Sequence, residues 1–226
     1  MKKNTLLFVL LTFALSGFTQ NCESWFPAKK GSFIEMKSYD DKDKLTGIVR
    51  QTVTDVTNLS DGIAIKVHSQ SLDEKEKMLT EQDLEMRCED GMFYMDMKNF
   101  YNQPQGGNKD AEVTIDATDL VFPASLSVGQ ALPDGNMTMT YPAGPMTMTM
   151  GVHIMNRQVV AQESITTPAG TFDCYKITYD IELKMPVKMT SSAIQWYAKD
   201  AGAVRTETFN KRGKLIGYTL LTALNK

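Results

Sequence analysis

The chain has 226 residues, 42% hydrophobic and 23% charged, with 15 Gly, 8 Pro and a formal net charge of −3. That balance excludes a disordered chain, a collagen-like repeat and a multi-span helical membrane protein. With no excess of basic charge there is no electrostatic footprint for nucleic acid, and no such partner is expected.

The N-terminus reads as an export signal. Lys2 and Lys3 form a positive n-region, and Leu6 to Phe18 is an apolar stretch of 13 residues, too short to span a bilayer comfortably. Small and polar residues follow, which predicts a signal peptide over 1–19, cut after Thr19 or Gln20. Its removal leaves 22 Lys+Arg against 27 Asp+Glu, a net charge of −5. The mature chain is expected in the periplasm or outside the cell, with no transmembrane span. Asn21 before Cys22 disfavours an outer-membrane lipoprotein, because a lipid-modified cysteine normally follows a small residue.

From residue 31 onward the pattern is period-two. Asp40, Asp41 and Asp43 superficially suggest a Ca²⁺ loop but lack its Gly and closing Glu, so a charged hairpin turn is predicted. Strands are expected at Ile48–Val56, at Ile63–His68, through Leu84, Met86 and Cys88, and at Met92–Met97 after the turn Glu89-Asp90-Gly91. A looser segment, 103–134, holds Pro104, Gly106, Gly107, Pro123 and Pro133. Met137–Met150 (MTMTYPAGPMTMTM) is a hairpin turned by Pro142–Pro145, with Met137 and Met139 on one face and Met146, Met148 and Met150 in phase with Val152 and Ile154. Tyr175–Met185 alternates, which puts Cys174 with Lys176, Thr178 and Asp180 on the more polar face. Two turn signals, 199–202 and 210–213, cut the C-terminal third into three short strands. The expected fold is mainly β: one antiparallel meander over 20–226, curved or an incomplete barrel, with little helix.

Three cysteines in an oxidising compartment suggest one bridge and one leftover thiol. Cys88 shares the core parity of Leu84 and Met86, so a Cys22–Cys88 staple of the N-terminus is the expected pair.

Trp25-Phe26-Pro27, Lys44-Leu45-Thr46-Gly47, the Cys88-x-x-Gly91-Met92-Phe93-Tyr94 segment, Thr167-Pro168-Ala169-Gly170-Thr171-Phe172-x-Cys174-Tyr175 and Trp196-Tyr197-Ala198-x-x-x-Gly202-x-Val204-Arg205 resemble the TapB family of exported bacterial proteins. The resemblance covers nearly the whole mature chain. It implies a curved antiparallel sheet akin to the half-barrels of lipoprotein carriers, and it supplies no catalytic residue.

Catalytic motifs are absent. There are two histidines, His68 and His153, each on the polar side of its strand, and no nucleophile elbow, zinc-protease or phosphate-loop motif occurs. A non-enzymatic protein without a cofactor is expected. The unusual feature is 15 methionines, five of them at Met137, Met139, Met146, Met148 and Met150. With Trp196 and Tyr197 these are the candidate binding residues. They point to a concave face that holds a hydrophobic ligand, an acyl chain or lipid, or a partner segment of an envelope protein. Clustered thioethers are also soft ligands for Cu(I) or Ag(I). A third reading is a structural or interaction protein with no small ligand.

Overall fold

The computed structural model describes residues 24–100, 113–143, 146–184 and 187–226; the signal segment and Cys22 lie outside the described residues. Among the described residues thirteen strands follow one another: β1 (Phe33–Asp40), β2 (Leu45–Asn58), β3 (Gly62–Leu72), β4 (Met78–Glu89), β5 (Met92–Asp96), β6 (Thr114–Ala117), β7 (Asp119–Pro123), β8 (Gly135–Ala143), β9 (Met146–Thr167), β10 (Gly170–Lys184), β11 (Met189–Ala198), β12 (Gly202–Asn210) and β13 (Leu215–Asn225). A 3-10 turn at Met97–Phe100 accompanies them. No helix among the described residues is long and apolar enough to cross a membrane.

The turns carry local chemistry that the sequence displays. In the β1–β2 turn the Asp40 carboxylate accepts from the Lys42 and Lys44 amides, and Asp43 takes a left-handed φ of 61°. Asn210 repeats this between β12 and β13, accepting from Arg212 and Lys214. Short polar side chains that bond their own backbone favour such turns. Asp90 and Gly91 both adopt positive φ, the geometry that a tight hairpin between β4 and β5 needs.

All strands join one antiparallel sheet in the order β6-β8-β9-β10-β11-β12-β13-β1-β2-β3-β4-β5-β7. The two edge strands, β6 and β7, are consecutive in sequence, so the sheet rolls into a nearly closed barrel. At Thr118 the chain changes partner: β6 pairs with β8 on one side and β7 with β5 on the other. Thr118 bridges the change by bonding both the carbonyl and the amide of Asn136. Both strands lie inside the segment 103–134 that the sequence suggests is loose.

Among the described residues no strand pairs with the outward edge of β7. Two side chains cap it instead. Arg157 of β9 donates from one Nη1 to the carbonyls of Val121 and Pro133, at 3.2 and 2.6 Å. Trp25, from the segment before β1, donates from Nε1 to the Pro123 carbonyl at 2.8 Å. Capping an open edge protects it from pairing with another chain. Arg157 is itself buried, stacked over Phe122, and burial depresses its guanidinium to about 10.

Inside lies one apolar core: Trp25, Ile34, Val53, Ile65, Val67, Met86, Phe93, Phe122, Tyr197, Val204 and Leu221 are among its buried members. Leu84, Met86 and Cys88 all face it, as their shared parity predicts. Cys174, expected on the more polar face, is buried all the same. It is a free thiol, fully buried, and so is Ile177 of opposite parity. Cys174 keeps the parity of Lys176, with Glu163 as its ladder partner, while Tyr175 and Ile177 pack on the core, so β10 is covered on both faces at this point. Burial pushes the Cys174 thiol up to about 11, with Asp173 and Glu163 adding to the effect.

Candidate functional site

A cavity of about 320 Å³ opens off this core, at the lower end of the roughly 300–1,000 Å³ of ligand pockets. Its wall is built from ladder rows. Ile34, Gln51, Ser69 and Gln82 are successive cross-strand partners through β1, β2, β3 and β4, and Met36, Val49 and Ser71 form the row beside them. Cross-strand partners share a face, so both rows point inward together. Leu84, Met86 and Met95 continue the wall, Met86 and Met95 being direct partners between β4 and β5. Phe26, Tyr197 and the small residues Ala201, Gly202 and Ala203 form the facing side. Gly202 takes φ +79° there, with its missing Cβ directed at Phe26 and the Trp25 carbonyl.

The lining is apolar with an uncharged polar strip. Among the described residues that line it there is no Asp, Glu, Lys, Arg, His or Cys. Burial raises the Tyr197 phenol well above its ordinary value, so its hydroxyl is neutral. A second hollow, about 470 Å³, is wider and more open; the Asn156–Asp180 hydrogen bond and Tyr179 belong to its rim.

The candidate residues separate. Tyr197 lines the cavity and stacks on Phe122, with ring centroids 4.7 Å apart. Its neighbour Trp196 points the other way, as adjacent strand residues do. There the indole donates to Glu163 at 2.5 Å, and Lys176 and Arg205 sit 5.0 and 5.8 Å from its ring. That indole bond, with the Lys176 ammonium, holds the Glu163 carboxyl below its usual range. Met137 is buried in the core. Met139 and Met150 are direct partners, Met148 pairs with Tyr141, and Met146 stands at the hairpin end, 68% exposed. None of the five hairpin methionines lines the cavity. The methionines that do, Met36, Met86 and Met95, lie outside the Met137–Met150 cluster. A signal was nonetheless present, since Gln51 and Ser69 lie in phase with the apolar Val53 and Val67.

A His–carboxylate pair exists, but outside the cavity. His68 lies 2.9 Å from Asp83 through Nδ1 and 3.7 Å from Glu81 through Nε2, and all three side chains are at least a third exposed. Ser69, its neighbour in β3, faces inward. Among the described residues no group of three or more His, Cys, Asp or Glu is placed to hold a metal ion.

The fold has known relatives. A crystal structure from Bacteroides fragilis, of a protein described as exported and of YmcC-like fold, superposes with a TM-score of 0.76 at 25% identity, covering 91% of this chain and 100% of that one. A protein from Parabacteroides distasonis described as a lipoprotein superposes with a TM-score of 0.77 at 26% identity, with the same coverage. Among curated proteins none matches. A family model described as DUF3108-like matches residues 29–221.

Proposed function

The chain belongs to the DUF3108-like family, and from that premise we propose that it is an exported, non-enzymatic envelope protein that holds an uncharged hydrophobic ligand, an acyl chain or neutral lipid, inside its barrel. One observation carries this reading: the 320 Å³ cavity has an apolar wall with an uncharged strip of Gln51, Ser69, Ser71 and Gln82. An acyl chain is favoured by Ile34, Leu84, Met86 and Met95, whose contact surface is apolar and, at methionine, adaptable. The amides and hydroxyls suit an ester or hydroxyl group. A free carboxylate or phosphate would lose its hydration with no cation among the described lining residues to replace it. Export is supported by the N-terminal signal pattern and by the descriptions of the two structural relatives.

The test starts with native mass spectrometry of protein purified from its own envelope, followed by displacement of a fluorescent apolar probe, N-phenyl-1-naphthylamine. A bound lipid-sized mass is expected, and Ser71→Phe should weaken probe binding at least tenfold while the melting temperature holds. A bare polypeptide that binds no probe refutes the proposal and leaves a structural or protein-binding role.

A further inference from the structure

The β8–β9 hairpin carries a second constellation, separate from the cavity. Met139 faces Met150, and Tyr141 faces Met148, so the four side chains occupy one side of the ladder. Thr140 and Thr149 pair on the other side. The Tyr141 hydroxyl lies 3.5 Å from the Met150 sulfur and 3.9 Å from the Met148 sulfur. Two thioethers therefore converge on one point, with the third across the ladder from Met150. All four side chains are only half-buried. Met146, the next residue on this face toward the turn, is 68% exposed.

We propose that Met139, Met148 and Met150 coordinate one soft monovalent cation, Cu(I) or Ag(I), in the space that the Tyr141 hydroxyl now shares with the two sulfurs. Neutral thioethers select such ions and bind hard Ca²⁺ or Mg²⁺ poorly, since those take oxygen ligands. Binding involves no redox step and releases no proton, because thioether sulfur carries none. It does not depend on the ligand in the barrel.

The probe is Ag(I) in chloride-free buffer, titrated into mature protein whose methionine methyl groups are ¹³C-labelled. The Cys174→Ala background removes the buried thiol as a competing site. The methyl signals of Met139, Met148 and Met150 should shift together and saturate at one equivalent, while those of Met36, Met86 and Met95 stay in place. Met148→Leu with Met150→Leu should weaken silver uptake at least tenfold. Absent shifts, unchanged uptake in the double variant, or uptake lost on Cys174→Ala alone would overturn the site.

Discussion

Replacing Trp25 tests how the barrel seam is held. Trp25 is fully buried and meets Tyr175, Tyr197 and Phe122 with ring centroids 5.8, 6.3 and 6.4 Å apart. Its N–H bond to Pro123 spans 98 residues and caps the open edge of β7. Trp25→Ala removes the ring and leaves a void lined by side chains that cannot collapse fully, at a cost of roughly 3–5 kcal/mol. For a chain of this size, at roughly 2–4 °C per kcal/mol, that is a melting temperature lower by about 6–20 °C. Trp25→Phe keeps most of the volume but leaves the Pro123 carbonyl without its donor, which costs about 1–3 kcal/mol. Urea unfolding followed by circular dichroism measures both, and an unchanged denaturant slope confirms that stability is what moved. A loss below about 1 kcal/mol for Trp25→Ala would refute the claim that this residue locks the seam, because no core void of that size comes so cheaply.

Three further outcomes follow from named contacts. A Cβ at Gly62 would run into the Cys88 carbonyl across the β3–β4 ladder, so Gly62→Ala should destabilise by ~1–3 kcal/mol in the same assay, and a neutral result would contradict the close approach. For Glu35, burial alone would raise the carboxyl, but hydrogen bonds from Arg50 and Thr222 and the charges of Lys37 and Arg50 outweigh it and hold the group below the ordinary 4.5. The unfolded chain then takes up the proton first, so this stabilisation is present above pH 4.5 and is lost as pH falls through the lower, folded value. Melting temperatures measured from pH 7 to pH 3 should fall at the acid end, less steeply for Glu35→Gln; an identical acid limb would remove Glu35 from the account. Cys174, buried and pushed up to about 11, should stay silent to a thiol reagent at pH 8 in the folded protein. After unfolding without reductant one thiol should react if Cys22 and Cys88 are bridged, and three after reduction. Rapid native labelling would mean that the β9–β10 ladder opens readily over Cys174.

Much of this protein is legible without its tertiary structure. Period-two patterning marks β2, β3, β4 and β10, and the parity of Leu84, Met86 and Cys88 identifies their core face, because a pleated strand sends alternate side chains to opposite sides. Turns at Asp40–Lys44, Asp90-Gly91 and Asn210–Lys214 are equally local, since each is set by a side chain bonding its own backbone or by a positive φ. What only the tertiary structure decided depends on partners distant in sequence. Local alternation names two faces but not whether each is covered, so it put Cys174 on a polar face that the fold buries as well, and it grouped Met137 with Met139, although only Met137 reaches the core. The cavity is distributed over β1 to β5, β11 and β12, and its polar strip appears only when Gln51, Ser69 and Gln82 come into register. Closure is the most non-local feature of all. It requires the sheet's curvature to bring β7 round toward β8 and β9, where Thr118, Arg157 and Trp25 supply hydrogen bonds that none of the described strands provides.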